Sequence, residues 1–311
     1  MLIVEGIENF QTQKGLVLAL GNFDGVHLGH QQLINSAIDE SRMNGGTSSV
    51  LVFDPHPLRV LIPERAPRLL TTTMQKAEIL EKMGLDCLVI TPFTHEIAGW
   101  CPERFVDDML VGTLHVSAVY VGYNYTFGHK GGGDPELLQR LGKNRGFEVR
   151  VVSPVRVQER IVSSSLIRVC LEQGDIRAVS EFAGRWLFLD GVVVKGEQRG
   201  QTIGFPTANL QSDPEVILPG LGVYVCRAYV AGSTYGAVVN VGKKPTFHAE
   251  YPVSVEAFLI DYSGDLYGQN MRLEFCDRLR GEMKFNGPDE LIKQIQQDIE
   301  KGRNILENMK K

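Results

Sequence analysis

Long hydrophobic runs are missing from this sequence. The longest unbroken apolar stretch is Leu16 to Leu20, five residues, where a membrane-spanning helix needs about 20; no bilayer crossing is expected. Positive charge is not in excess either. The 32 Lys and Arg against 37 Asp and Glu leave a formal net charge of −5, whereas a nucleic-acid binder carries a strongly basic face and usually a basic total. Nucleic acid is therefore not an expected partner. Cysteine is sparse: Cys87, Cys101, Cys170, Cys226 and Cys276 are widely spaced and form no C-x-x-C. An odd number at such spacing excludes a disulfide framework and a zinc–thiolate site, and predicts reduced thiols in a cytoplasmic protein. The N-terminus lacks a basic head followed by an apolar stretch, so no secretory signal is expected. There is no G-x-x-x-x-G-K-[ST] loop, no dinucleotide G-x-G-x-x-G fingerprint, no internal repeat and no low-complexity linker.

What is present is a globular composition. With 311 residues, 43% hydrophobic and 22% charged, the chain has length for about two domains at roughly 150 residues each. The first 150 residues alternate short apolar runs with mixed segments. Strands are predicted at Gly15–Leu20, Ser49–Phe53, Asp86–Ile90, Val116–Val121 and Phe147–Val152. Helices are predicted at Gly29–Met43, Thr72–Met83, Pro102–Leu110 and Pro135–Arg145. That alternation implies crossover units, a parallel sheet and an α/β fold, with ligands held beyond the carboxyl ends of the strands. A helical stretch from Ser164 to Ala183 follows, and then the pattern changes. From Trp186 to Phe275 the apolar runs are short and divided by turn residues, which reads as an antiparallel barrel or sandwich. A last helix is expected from about Pro288 to Glu307. The division falls near Gly184, giving domains 1–184 and 185–311.

The first predicted strand runs into Gly21-Asn22-Phe23-Asp24-Gly25-Val26-His27-Leu28-Gly29-His30. A strand, a glycine-rich turn and a helix start present free backbone N–H groups and the positive end of a helix to an anion. His27 and His30, three residues apart, share one face of the first helical turn and can donate to phosphate oxygens. Gly29 between them leaves room for close approach to the backbone. The plainer alternative is a turn capped by Asp24 with two solvent histidines. Other segments belong at the same sheet edge. Phe53-Asp54-Pro55-His56-Pro57 ends the second strand, either as a stiff loop or as a contact through His56. Gly122-Tyr123-Asn124-Tyr125-Thr126-Phe127-Gly128 ends the fourth, with aromatics and an amide suited to a planar ring beside a polyphosphate. Ser163-Ser164-Ser165 caps the next helix. Arg168 falls in that helix's first turn, against the dipole preference, as a bound anion would explain.

A second cluster lies in the barrel half. Lys195-Gly196-Glu197-Gln198-Arg199-Gly200 precedes Gly204-Phe205-Pro206-Thr207-Ala208-Asn209. The glycines suit a loop around phosphates. Thr207 and Asn209 place two oxygen ligands on one side of an extended segment, as Mg²⁺ prefers when phosphates and water complete its shell; a turn with two capping side chains is the alternative. Glu256, mid-strand among apolar neighbours, is either outward-facing or a general base for a hydroxyl.

Taken together these motifs resemble the bacterial bifunctional riboflavin kinase/FMN adenylyltransferases. The resemblance runs in order through GNFDGVHLGH (21–30), FDPHP (53–57), GYNYTFG (122–128), SSSLIR (163–168), GFPTANL (204–210), GVYV (222–225), NVGKKPTF (240–247), VEAFLID (255–261), LYG (266–268) and LRGEMKF (279–285). It implies an N-terminal Rossmann-like nucleotidyltransferase domain with a parallel sheet and a C-terminal antiparallel β-barrel riboflavin kinase domain ending in a helix. It implies phosphorylation of riboflavin to FMN by ATP, and adenylylation of FMN to FAD with release of pyrophosphate. By the same carry-over His27 and His30 contact the ATP phosphates, helped by Gly21, Asn22, Phe23, Asp24, Gly25, Gly29, Asn124, Ser164 and Arg168. In the kinase, Thr207 and Asn209 hold Mg²⁺, Glu256 takes the riboflavin hydroxyl proton, and Lys195, Gly196 and Gly200 line the nucleotide loop. His56, Tyr125, Phe127 and Arg280 are the flavin-side candidates. The implied partners are small molecules (riboflavin, FMN, FAD and ATP) with neither nucleic acid nor membrane, and the chain is expected to be a monomer or weak homo-oligomer. The sequence departs from the family at Asn124-Tyr125, where Asp-Phe is common, at Ser165, where Thr is common, and at Gln201, where Arg is usual and a charge is lost. An adenylyltransferase with a weak kinase barrel and a non-catalytic flavin-binding regulator are the rival functions.

Overall fold

The computed structural model describes residues 1–196, 200, 203–243 and 253–309. The chain forms two compact units, Met1–Ser164 and Ser165–Lys311.

In the first unit, β1 (Leu2–Glu5), β2 (Leu16–Leu20), β3 (Thr47–Phe53), β4 (Cys87–Thr91), β5 (Val116–Gly122) and β6 (Glu148–Val152) make one sheet. Its order is β1-β4-β3-β2-β5-β6, and every neighbouring pair is parallel. All five residues of β2 are buried, as a strand covered on both faces requires. From β2 the chain moves to β3 on one side, while β5 flanks β2 on the other. That reversal opens a crevice beyond the strand ends, the usual ligand position of such sheets. Helices α1 (Leu28–Met43), α2 (Pro57–Leu61), α3 (Thr73–Lys82), α4 (His95–Ala98), α5 (Pro102–Arg104) and α6 (Pro135–Arg145) fill the connections. α3 is started by a capping box between Thr72 and Gln75. A two-stranded ribbon, β7 (Arg156–Val157) and β8 (Arg160–Ile161), follows β6. The core gathers Leu16, Leu18, Leu20, Val89, Val119, Val121, Phe105 and Leu110.

The parallel α/β unit is as the sequence predicts, with β1, the short helices α2 and α4 and the β7–β8 ribbon added to the predicted elements and one helix altered. β1 pairs with β4 at the sheet edge; its apolar run, Leu2–Val4, is short and lies outside the predicted strands. The helix predicted over Pro102–Leu110 is a single α turn that widens into a π-helix at Phe105–Thr113, closed by Leu114 N–H donating to Met109 O at 3.0 Å.

In the second unit the predicted 164–183 helix is two, α7 (Ser164–Glu172) and α8 (Ile176–Ala183), broken where Gly174 adopts φ +74°. Both dock on the barrel: Arg278 donates to Gln173 O at 3.0 Å and to Leu221 O at 2.8 Å, and Arg177 pairs with Asp277. The barrel comprises β9 (Leu187–Val194), β10 (Ala208–Ser212), β11 (Gly222–Val230), β12 (Ser233–Lys243), β13 (Val253–Leu259) and β14 (Asn270–Arg280). It closes in the order β10-β13-β12-β11-β14-β9 through antiparallel pairs. Tyr224 and Phe275 meet edge to face at 5.5 Å and are wholly buried. The terminal helix α9 (Pro288–Asn308) brings Ile299, Ile305 and Leu306 onto a patch of Val223, Val225, Val238, Ile260, Cys276 and Leu279. None of the five cysteines is in a disulfide. Among the described residues no helix is long and apolar enough to cross a membrane.

Candidate active sites

The loop between β2 and α1 is held from three sides. Asp24, only 4% exposed, turns its carboxylate inward to accept from Leu70 N–H at 3.0 and 3.1 Å and Thr71 N–H at 3.1 Å. Gly25 N–H donates to Thr71 Oγ1 at 3.0 Å, and Ser164 Oγ donates to Asp24 O at 2.9 Å. These bonds support an unfavourable backbone: φ is +47° at Phe23 and +36° at Val26, values that side-chain-bearing residues rarely adopt. Both side chains are buried, so packing holds the strain where the loop faces the crevice. Gly25, at φ +79°, lies so close to Leu70 that an added Cβ would sit 2.8 Å from its Cδ1.

His27 is the N-cap of α1, and its Nδ1 accepts from His30 N–H at 3.3 Å. That bond assigns the proton of the neutral ring to Nε2, which is then a donor. The two imidazoles stack with centroids 3.6 Å apart and planes 16° from parallel. The edge of Phe23 meets His30 at 5.3 Å, and Gly21 lies beneath the Phe23 ring, 3.1 Å from an added Cβ to Cζ. Gly21, Phe23, His27, Gly29 and His30 thus form one assembly. Asn22 joins it from behind through its carbonyl, which accepts from Lys76 Nζ at 2.9 Å.

The neighbouring strand ends carry the remaining candidates of this unit. His56 caps α2, its Nδ1 accepting from Leu58 N–H at 3.2 Å. Asn124 is exposed in the turn after β5, closed by Tyr125 N–H donating to Gly122 O at 3.1 Å. Tyr125 stacks on Phe127 at 5.8 Å, and burial pushes the Tyr125 hydroxyl pKa upward. Phe127 itself is 6% exposed and packs in the core beside Phe105. Arg168 lies in the second unit, one turn into α7.

In the barrel, strand register brings distant residues into one row. Asn209 on β10 stands opposite Glu256 on β13, and Asn240 on β12 stands opposite Glu256 on its other side. Directly paired residues share a face. Their chain neighbours Ala208, Val255, Ala257, Val239 and Val241 are buried, so the row lies on the alternate face, away from the barrel interior. Gly196 packs on Asn209: a Cβ there would be 2.5 Å from the amide Cγ. Gly200 packs on Thr207, 3.5 Å from an added Cβ to Oγ1, and accepts from Phe205 N–H at 2.8 Å. Gly196, Gly200, Thr207, Asn209 and Glu256 therefore belong to one cluster. Lys195 lies 5.8 Å from the centre of the Tyr267 ring. Arg280 pairs with Asp298 of α9 at 2.8 Å and donates to Gly281 O at 3.1 Å. Gln201 and residues 244–247 of the NVGKKPTF motif lie outside the described residues.

The oxygens of Thr207 and Asn209 beside one carboxylate suit a hard cation completed by phosphates and water. Among the described residues there is no group of three or more His, Cys, Asp or Glu side chains able to cage a metal. Two residues escaped the sequence reading. Lys76 is buried and has Ile79, Leu80 and Met83 at the following apolar-stripe positions of α3; a lysine in that stripe was the available signal. Asn240 heads the NVGKKPTF segment, but its place beside Glu256 needed the register of β12.

Residues 9–166 match the family model described as FAD synthetase, and residues 183–306 match riboflavin kinase. The bifunctional riboflavin kinase/FMN adenylyltransferase of Bacillus subtilis is 36% identical over 305 residues, covering 97% of this chain and 96% of the relative. Its counterpart in Escherichia coli K12 is 33% identical over 301 residues, with 96% of each covered. A crystal structure described as a macrolide-efflux protein from Streptococcus pneumoniae aligns with TM-score 0.88 at 28% identity, over 98% of this chain and 99% of that one.

Proposed function

This chain belongs to the bifunctional riboflavin kinase/FMN adenylyltransferase family, and from that premise we propose which of its residues carry each reaction. The chain phosphorylates riboflavin to FMN and adenylylates FMN to FAD. The observation that carries the assignment is the sorting of two donor sets into two units: the stacked His27–His30 pair in one, the Thr207–Asn209–Glu256 cluster in the other.

In the first unit a phosphate oxygen of FMN attacks the α-phosphorus of ATP and pyrophosphate leaves. No protein nucleophile is required; charge develops on phosphate oxygens and must be met by fixed donors. His27 donates from Nε2, since Nδ1 is engaged by His30 N–H, and His30 stacks beside it. The strained Gly21–Gly25 loop supplies backbone amides at the same place. Asn124 and Ser164 complete the nucleotide side, and His56 and Tyr125, the latter stacked on core Phe127, the flavin side. In the second unit the riboflavin hydroxyl attacks the γ-phosphorus of ATP, Glu256 accepts its proton, and ADP leaves. Lys195, Gly196 and Gly200 position the nucleotide, with Arg280 on the flavin side. The donor oxygens of Thr207 and Asn209 suit Mg²⁺, which when bound neutralises charge on the phosphates. We place the boundary between the two activities near Gly184, supported by the riboflavin kinase match beginning at residue 183, and we assign a cytoplasmic monomer or weak homo-oligomer.

Incubation with riboflavin, ATP and Mg²⁺, followed by chromatography, tests this. FMN and then FAD should appear. Absence of FMN overturns the kinase assignment, and FMN without FAD overturns the adenylyltransferase.

A further inference from the structure

Lys76 has no part in the chemistry above, yet it is the most deeply buried cation of the first unit, 7% exposed on α3. Removing an ammonium from water is costly unless it is paired and hydrogen-bonded. Methionine would fill a similar volume at this apolar-stripe position without that cost, so the charge calls for a reason. Three groups face it. Its Nζ donates to the Asn22 carbonyl at 2.9 Å, and the carboxylates of Asp24 and Asp54 act on it electrostatically. Asp24 is committed to the Leu70 and Thr71 amides, and Asp54 accepts from Thr73 Oγ1 at 2.6 Å. The specific partner of the ammonium is therefore one backbone carbonyl, immediately before the residue with φ +47°.

That carbonyl fixes a direction. In a trans peptide unit the C=O and the following N–H point opposite ways. With the Asn22 carbonyl drawn toward buried Lys76, the Phe23 N–H points away from it. The same plane sets the start of Phe23, whose ring edge meets His30 at 5.3 Å. We propose that Lys76 is a positioning residue of the adenylyl-transfer site: by holding the Asn22 carbonyl it aims the Phe23 N–H toward the bound phosphates and seats the Phe23 ring against His30. This rests on the assignment of adenylylation to the His27–His30 loop. Burial disfavours the charged amine and lowers its pKa, while Asp24 and Asp54 act in the opposite direction.

Lys76→Met and Lys76→Arg in the full chain test the proposal. FAD formation from added FMN and ATP is measured as kcat and KM. Riboflavin phosphorylation by the same molecules and amide exchange across residues 21–31 accompany it. Lys76→Met should lower kcat for FAD by between about tenfold and 100-fold, leave the KM for FMN and the rate of FMN formation within about twofold, and speed exchange at 21–31 alone. Lys76→Arg, which keeps a charged donor, should recover most of the lost kcat. FAD formation within twofold of the parent in Lys76→Met overturns the proposal. So does loss of protection throughout β2–β5, which would make Lys76 a general structural residue. Failure of the parent chain itself to make FAD is a different result, and it overturns the underlying assignment.

Discussion

Gly29→Ala is an informative perturbation because its two effects have opposite signs. Gly29 is the second residue of α1, where alanine improves helix propensity by at most about 1 kcal/mol. An added Cβ would stand 3.2 Å from Cε1 and 3.3 Å from Nδ1 of His27, closer than carbon atoms normally rest. The ring has little room to yield, since His30 stacks on it with centroids 3.6 Å apart. His27 must shift by a few tenths of an ångström, weakening the Nδ1 bond that orients its Nε2–H. A displacement of about 1 Å costs roughly 100-fold in a positioned reaction, so a fraction of that corresponds to about a threefold to tenfold loss. Gly29→Ala should therefore unfold at an equal or higher temperature, phosphorylate riboflavin normally, and adenylylate FMN about threefold to tenfold more slowly. The assay is FAD formation by stopped-time chromatography beside a thermal melt. An adenylylation rate equal to that of the parent refutes the claim that the His27 ring orientation matters.

Other expectations concern the barrel. Gly196→Ala, whose Cβ would overlap the Asn209 amide, should reduce FMN formation at least tenfold while FAD formation from added FMN is unchanged, measured by the same chromatography. Asn209→Ala should raise the Mg²⁺ concentration needed for half-maximal kinase activity, read from a metal titration at fixed ATP; an unaltered titration would remove Asn209 from the metal site. Arg280→Met strips the ion pair from Asp298, a 4% exposed residue whose described hydrogen bond besides Arg280 comes from Gln294 at 3.0 Å. Breaking such a pair costs about 3–5 kcal/mol, so the urea midpoint of the barrel should fall clearly.

Much of this architecture was legible in the sequence because its signals are local. The all-apolar β2, the capping residues Thr72 and Asp134, and the His27–His30 spacing each declare themselves within a few residues. The exceptions depend on distant parts of the chain. β1 has only three apolar residues, Leu2–Val4, and is fixed as a strand by its pairing with distant β4. Asn209 is expected on an extended segment, but only strand pairing shows that this segment is β10, between β9 and β13. The Asn209–Glu256–Asn240 row spans three strands and exists only through their register. The burial of Lys76 depends on the distant Asn22 loop whose carbonyl receives its ammonium. Asp24, expected at the nucleotide, is turned inward to Leu70 and Thr71, and no sequence pattern distinguishes those two orientations.

The central claim is that one chain holds two chemistries in two separate donor sets. It is tested most directly by following riboflavin through His30→Ala in the presence of ATP and Mg²⁺. The account predicts that FMN accumulates at the parent rate while FAD does not form. Loss of FMN and FAD together, or continued formation of FAD, would contradict it.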